Sequence, residues 1–185
     1  MLSDVKRGGF KVKKYISGIL VCIMFVMMLF QAGLAAPKYQ ETVYVSTAEE
    51  FLAALGSNKK IVMAEGVYNL STAKNSLPFY TGDLADMPQD SAFWSGSQLF
   101  LGLIQNLTIE GPTEPGKTAE IVVEPRSAYV MFFAGCKNIM LNNVTAGHTV
   151  AQGGCSGGVF WFMYSEDINM NNVVTGLHVN SPRKK

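Results

Sequence analysis

Residues 147–160, GHTVAQGGCSGGVF, put His148, Cys155 and Ser156 among five glycines in fourteen positions. The stretch GCSGG (154–158) satisfies G-x-S-x-G, the spacing that exposes a nucleophilic serine on a turn between a strand and a helix. A thiolate–imidazole pair of Cys155 with His148 is the other nucleophile these residues could build. The pair rests on sequence proximity alone, with no cysteine-protease signature around it, and the flanks argue against the serine. A polar loop precedes GCSGG and the apolar VFWF follows as a strand, so the helix the serine elbow needs is missing. Gly153, Gly154, Gly157 and Gly158 suit a lateral excursion that drops the chain into its next strand, leaving His148 as a residue that could line a surface groove.

Other chemistry is thinly spread. Asp83, Asp86 and Asp90 lie in one polar stretch and could offer oxygens to a calcium ion, although their spacing is not that of an EF-hand. Cys136 and Cys155 could form a disulfide in an exported protein, or remain two small interior residues.

Export is the expectation for the N-terminus. Lys6, Arg7, Lys11, Lys13 and Lys14 precede an apolar run at 16–30, and Gly33 and Ala35 suit a cleavage site after Ala35. Residues 1–35 therefore read as a signal peptide and 36–185 as the folded domain, secreted or held at the cell surface. An uncleaved segment would instead be the chain's one link to a membrane. Without residues 1–35, ten basic residues face thirteen acidic ones, a net of −3. That balance offers no basic face for nucleic acid.

The elements that would position any site are short. VYV (43–45) alternates as a strand. STAEEFLAALG then carries a helix start at Ser46 or Thr47, with Glu49 or Glu50 three residues on, and a stop at Gly56. IVM (61–63) and VYNL (67–70) return to extended structure, and 72–97 reads as a long loop. From there the chain repeats. QNLTIEG (105–111), KNIMLNN (137–143) and EDINMNN (166–172) align without a gap, each after an aromatic or aliphatic run. The alignment matches Leu107, Ile139 and Ile168, then Ile109, Leu141 and Met170, as inward positions. A period of this size, built from short alternating segments, predicts stacked coils of parallel strands. Asn142/Asn143 and Asn171/Asn172 fall at strand ends, where asparagine accepts left-handed geometry and can form amide ladders between coils. The fold class is all-β: a parallel β-helix of about four coils behind a short N-terminal capping helix.

The run AEEFLAAL…IVMAEGVYNLS, QLFLGLIQNLTIEG, AEIVVEPRSAYVMFF, CKNIMLNNVTAGHT, CSGGVFWF resembles the secreted right-handed parallel β-helix repeat proteins of the pectate-lyase-like superfamily, over about residues 41–180. The resemblance implies a right-handed solenoid and polysaccharide as the partner class. Polygalacturonase-type hydrolysis is disfavoured, because the chain has AGHT (146–149) in place of GHG, no adjacent aspartate pair and no RIK. A lyase-like reading would use calcium on carboxylates with Arg126 as proton abstractor and Glu124 beside it; His148 completes the catalytic candidates. Against it stands a non-enzymatic surface or structural protein whose coils only present a binding face. The chain stops after SPRKK with no capping element, so it is expected to be the N-terminal part of a longer protein and inactive by itself, or else to associate end to end.

Overall fold

In the computed structural model of the chain, the residues described are 41–149 and 157–176. The expected signal peptide at 1–35 lies outside them, as do Cys155, Ser156 and everything after Gly176. Among the described residues no helix is long and apolar enough to cross a membrane.

The described chain is mostly β-strand. It opens with β1 (Glu41–Val45), α1 (Ala48–Ala54), β2 (Lys59–Met63) and β3 (Gly66–Asn69). Then come β4 (Ser91–Ser95), β5 (Gln98–Gly102), β6 (Gln105–Glu110), β7 (Ala119–Val123) and β8 (Met131–Ala134). The last five strands are β9 (Lys137–Asn142), β10 (Val144–His148), β11 (Phe160–Met163), β12 (Glu166–Asn171) and β13 (Val174–Gly176). They form three sheets ordered β1-β2-β6-β9-β12, β3-β7-β10-β13 and β4-β5-β8-β11. Beyond β2 the chain visits the three sheets in turn, and each strand lies parallel on its counterpart from the previous repeat.

The exception is β4, which runs antiparallel to β5 through a turn with Gly96 at φ 61°. The sequence reading placed residues 72–97 in a loop, and 91–95 correct it. Here Phe93 and Trp94 are buried against β5, so the hairpin gains aromatic burial that a polar loop would forgo.

The register is the one the repeats predict. Leu107 faces Ile139 and Ile139 faces Ile168; Ile109 faces Leu141 and Leu141 faces Met170. Ile61 joins below Ile109, so β1 and β2 extend the same sheet. These side chains meet those of the second sheet (Tyr68, Ile121, Ala146) and the third (Leu99, Leu101, Phe133) in one interior. Each fully buried Leu, Ile or Phe contributes about 1.5–3 kcal/mol.

The helix α1 covers the interior at the β1 end. Thr47 Oγ1 accepts from Glu50 N while Glu50 Oε2 accepts from Thr47 N, a complete capping box. That fixes the helix so that Phe51, Leu52 and Leu55 turn inward, with Phe51 edge-on to Tyr68 at 6.1 Å.

Two amide ladders tie successive strands at their corners. Asn171 Nδ2 donates to Asn142 Oδ1 at 3.0 Å and Asn172 Nδ2 to Asn143 Oδ1 at 2.9 Å. A further ladder runs from Asn138 to Asn106 at 2.9 Å and from Asn106 to Asn58 at 3.0 Å. Asn58, Asn106 and Asn138 sit at φ 58°, 56° and 54°, and Asp167 takes the same place at φ 55° in β12.

Candidate functional site

Glu124 and Arg126 follow β7 in the turn that leads to β8, and His148 ends β10, which stacks on β7. The structure therefore brings the three to one corner. Glu124 is exposed and already engaged: its Oε1 accepts from Asn69 Nδ2 at 3.0 Å, and its N–H donates to Ser71 Oγ at 2.9 Å. Both bonds tie the turn to the end of β3 and the residues just after it. Arg126 is half-buried, and its carbonyl accepts from Gly157 N at 3.0 Å.

His148 is not on a groove. It pairs in register with Val123, shares the inward parity of Val144 and Ala146, and has no exposed surface. Its Nε2 lies 2.7 Å from Ala128 O, so that nitrogen carries the hydrogen, and Nδ1 is buried with no hydrogen-bond partner among the described residues. No hydrogen bond or ion pair joins Glu124 to His148 among the described residues. The contacts described tie this corner to the neighbouring strands.

Gly157 and Gly158 show why the GCSGG stretch ends in glycine. A Cβ on Gly157 would strike the Ala128 carbonyl, and one on Gly158 would lie 2.5 Å from the Tyr129 ring. The chain returns so closely over 128–129 that only hydrogen fits. The rest of the connector read from the sequence, Gly153 and Gly154 included, lies outside the described residues.

The three aspartates hold local structure. Asp83 Oδ1 accepts from Ala85 N at 3.0 Å, and Asp83 O accepts from Asp86 N at 3.0 Å. Asp90, at φ 49°, takes the Ser57 N–H on Oδ1 at 2.8 Å. Among the described residues no three His, Cys, Asp or Glu side chains come together to hold a metal. Cys136, one half of the disulfide weighed from the sequence, is a free and buried thiol with Sγ 3.2 Å from Leu101 O. Burial pushes this thiol up to about 11, so it stays protonated at neutral pH. Its suggested partner Cys155 lies outside the described residues.

What sequence reasoning missed is aromatic. On the outer side of the third sheet, Phe93, Phe100, Phe132 and Trp161 rise from strand to strand as one row. Successive centroids lie 5.5, 4.5 and 5.7 Å apart, with interplanar angles of 2°, 29° and 6°. Tyr80 closes one end edge-on to Phe93, and Tyr129 stands edge-on to Trp161 at 4.9 Å. Phe93, Phe100 and Phe132 are buried, whereas Trp161 is 45 % exposed. The signal was present: Phe100, Phe132 and Trp161 each stand five residues before the start of their repeat.

A second aromatic feature lies on the first sheet. Tyr44 and Val62 are neighbours across β1 and β2 and point outward, opposite to the inward Val45, Ile61 and Met63. Beside them, Ser46, Glu50 and Ala64 complete an open cleft of about 310 Å³. An exposed ring flanked by hydroxyl and carboxylate groups can stack on a ligand's apolar face while those groups accept its hydrogen bonds. Comparison of the chain with protein-family models, with curated proteins and with solved structures gives no match.

Proposed function

We propose that the chain is a secreted right-handed parallel β-helix of the pectate-lyase-like kind that binds polysaccharide without cleaving it. The observation that carries the second half is the state of the catalytic candidates: Glu124 is spent on Asn69 and His148 on Ala128 O inside the core. Metal-assisted cleavage needs a cluster of ligands beside a free base, and among the described residues no three His, Cys, Asp or Glu side chains form such a cluster. Exposed rings on the outer faces, Tyr44 and Trp161 among them, supply the stacking surfaces that sugar rings use.

The β-helix reading is supported by the three parallel sheets visited in turn. Handedness follows from a general rule: a connection between parallel neighbours of one sheet is right-handed in nearly all proteins, because strand twist lets it pack back only that way. Each passage from β6 to β9 and from β9 to β12 is such a connection. Secretion rests on the basic and apolar pattern of residues 1–35 and the Gly33–Ala35 pair.

The test is electrophoresis of the exported protein through native gels cast with single polysaccharides. Retarded migration in at least one gel is expected, with the mature N-terminus at Ala36. Unretarded migration in every gel would remove the binding reading.

A second reading, a structural protein that associates end to end, is favoured by the β11–β12–β13 rung. Phe160, Phe162 and Ile168 are only partly buried there and Met170 is 51 % exposed, whereas Phe133, Ile139 and Leu141 one rung below are buried. Sedimentation at several concentrations tests it: a mass that rises with concentration is its signature.

A further inference from the structure

The cleft beside Tyr44 has a chemistry that selects among saccharides, and the argument rests on the polysaccharide reading above. Its polar rim is built of acceptors. Glu50 Oε2 is filled by Ser46 N at 2.7 Å, Ser46 Oγ at 3.0 Å and Thr47 N at 3.2 Å. These donors, Ser46 first, hold the Glu50 carboxyl below the usual carboxylate range, so it is charged at neutral pH. Its other oxygen, Oε1, makes no hydrogen bond among the described residues and is left for a ligand. Because the Ser46 hydroxyl hydrogen is committed to Glu50, Ser46 Oγ offers only lone pairs to a newcomer. On the β2 side the Ala64 N–H is used on Val45 O at 2.8 Å, so the Tyr44 phenol is the side-chain donor of the cleft.

Apolar contact comes from the other side. Tyr44 is 77 % exposed and stands next to Val62 on the outer face of the sheet. A flat ring beside fixed acceptors fits a ligand with one apolar C–H face and a rim of hydroxyl donors. That description is a pyranose. It disfavours an acidic one, because a uronate carboxylate would meet the Glu50 charge with no cationic residue in the lining to offset it. The cleft volume of about 310 Å³ is at the lower end for small-molecule sites and suits a short stretch of a glycan chain.

We propose that this cleft is a subsite for neutral sugar residues, with Tyr44 as the stacking platform and Glu50 Oε1 as the acceptor for a sugar hydroxyl.

The experiment is calorimetric titration of the exported protein with neutral hexasaccharides (gluco-, manno-, xylo- and galacto-configured) and with hexagalacturonate. Tyr44→Ala and Glu50→Gln are titrated in parallel. Wild-type protein is expected to bind at least one neutral hexasaccharide and to bind hexagalacturonate at least tenfold more weakly. Tyr44→Ala should weaken that neutral ligand by tenfold or more while leaving the melting temperature unchanged, since the ring is largely in solvent. Glu50→Gln keeps a capping-box residue at its position and should weaken binding several-fold. Neutral binding that survives Tyr44→Ala undiminished, or a preference for hexagalacturonate, overturns the subsite and leaves polysaccharide binding standing. Binding of none of these ligands, with retardation in a polysaccharide gel, likewise overturns the subsite alone. Binding of none together with no retardation overturns both.

Discussion

Replacing Asn106 is the sharpest probe of how the stacked strands are held together. Its side chain is the middle rung of a three-residue ladder, giving a hydrogen bond to Asn58 at 3.0 Å and taking one from Asn138 at 2.9 Å. Each such bond is worth roughly 0.5–1.5 kcal/mol net, so Asn106→Ala loses about 2 kcal/mol from the ladder. Asn106 also sits at φ 56°, where alanine costs roughly 1 kcal/mol more than asparagine or glycine. Together the alanine variant is destabilised by about 3 kcal/mol. Asn106→Gly loses the same two bonds but none of the backbone tolerance, and should fall by only about 2 kcal/mol. Urea unfolding followed by the fluorescence of buried Trp94 reads both values. An alanine variant within about 0.5 kcal/mol of wild type would show that the ladder carries no stability. Equal losses for alanine and glycine would show that the left-handed backbone plays no part.

The ladder stops at Asp167, which has the same φ but only acceptor oxygens; Asp167→Asn should add a rung and raise stability by about 1 kcal/mol in the same assay. Gly157→Ala drives a methyl into the Ala128 carbonyl and should cost about 2 kcal/mol or more, read as a lower urea midpoint. Burial raises the Cys136 thiol from 9.0 to about 11, so the fold favours its protonated form. Its contribution is complete below pH 9 and is lost as pH rises from 9 towards 11, on the order of 3 kcal/mol in all. Cys136→Ser, which can keep a bond to Leu101 O, should show a shallower fall in stability over that window, and Cys136 in the native protein, read by peptide mapping, should resist thiol reagents at pH 8 until unfolded.

The repeats were legible because their inward positions are apolar in every copy: Leu107, Ile139 and Ile168 pair as the alignment sets them. The helix was legible because Thr47 and Glu50 satisfy each other locally. The lowest rungs were not. Lys59 occupies the place opposite Leu107, and that charge at a repeat position hides the relation of β2 to β6 and the part Asn58 plays in the ladder. The hairpin strand β4 was hidden by its flanks, whose prolines, glycines and aspartates outweigh the apolar AFW that the tertiary fold buries. The candidate residues were visible by type, but their roles were not. Residue type gives no sign that His148 faces inward or that Glu124 is bonded to Asn69, because both facts depend on register between stacked strands. The Tyr44 cleft joins residues of β1, β2 and the start of α1, and its acceptor character comes from which hydrogens the capping box consumes.

The most direct test of binding without cleavage follows one solution of polysaccharide with the exported protein. Binding is read by co-sedimentation, and chain length by light scattering over a long incubation, with and without calcium. The account predicts that protein travels with the polysaccharide while its chain length and reducing-end count stay constant. A falling chain length that Glu124→Gln or Arg126→Ala abolishes would contradict it, and would return those residues to catalysis.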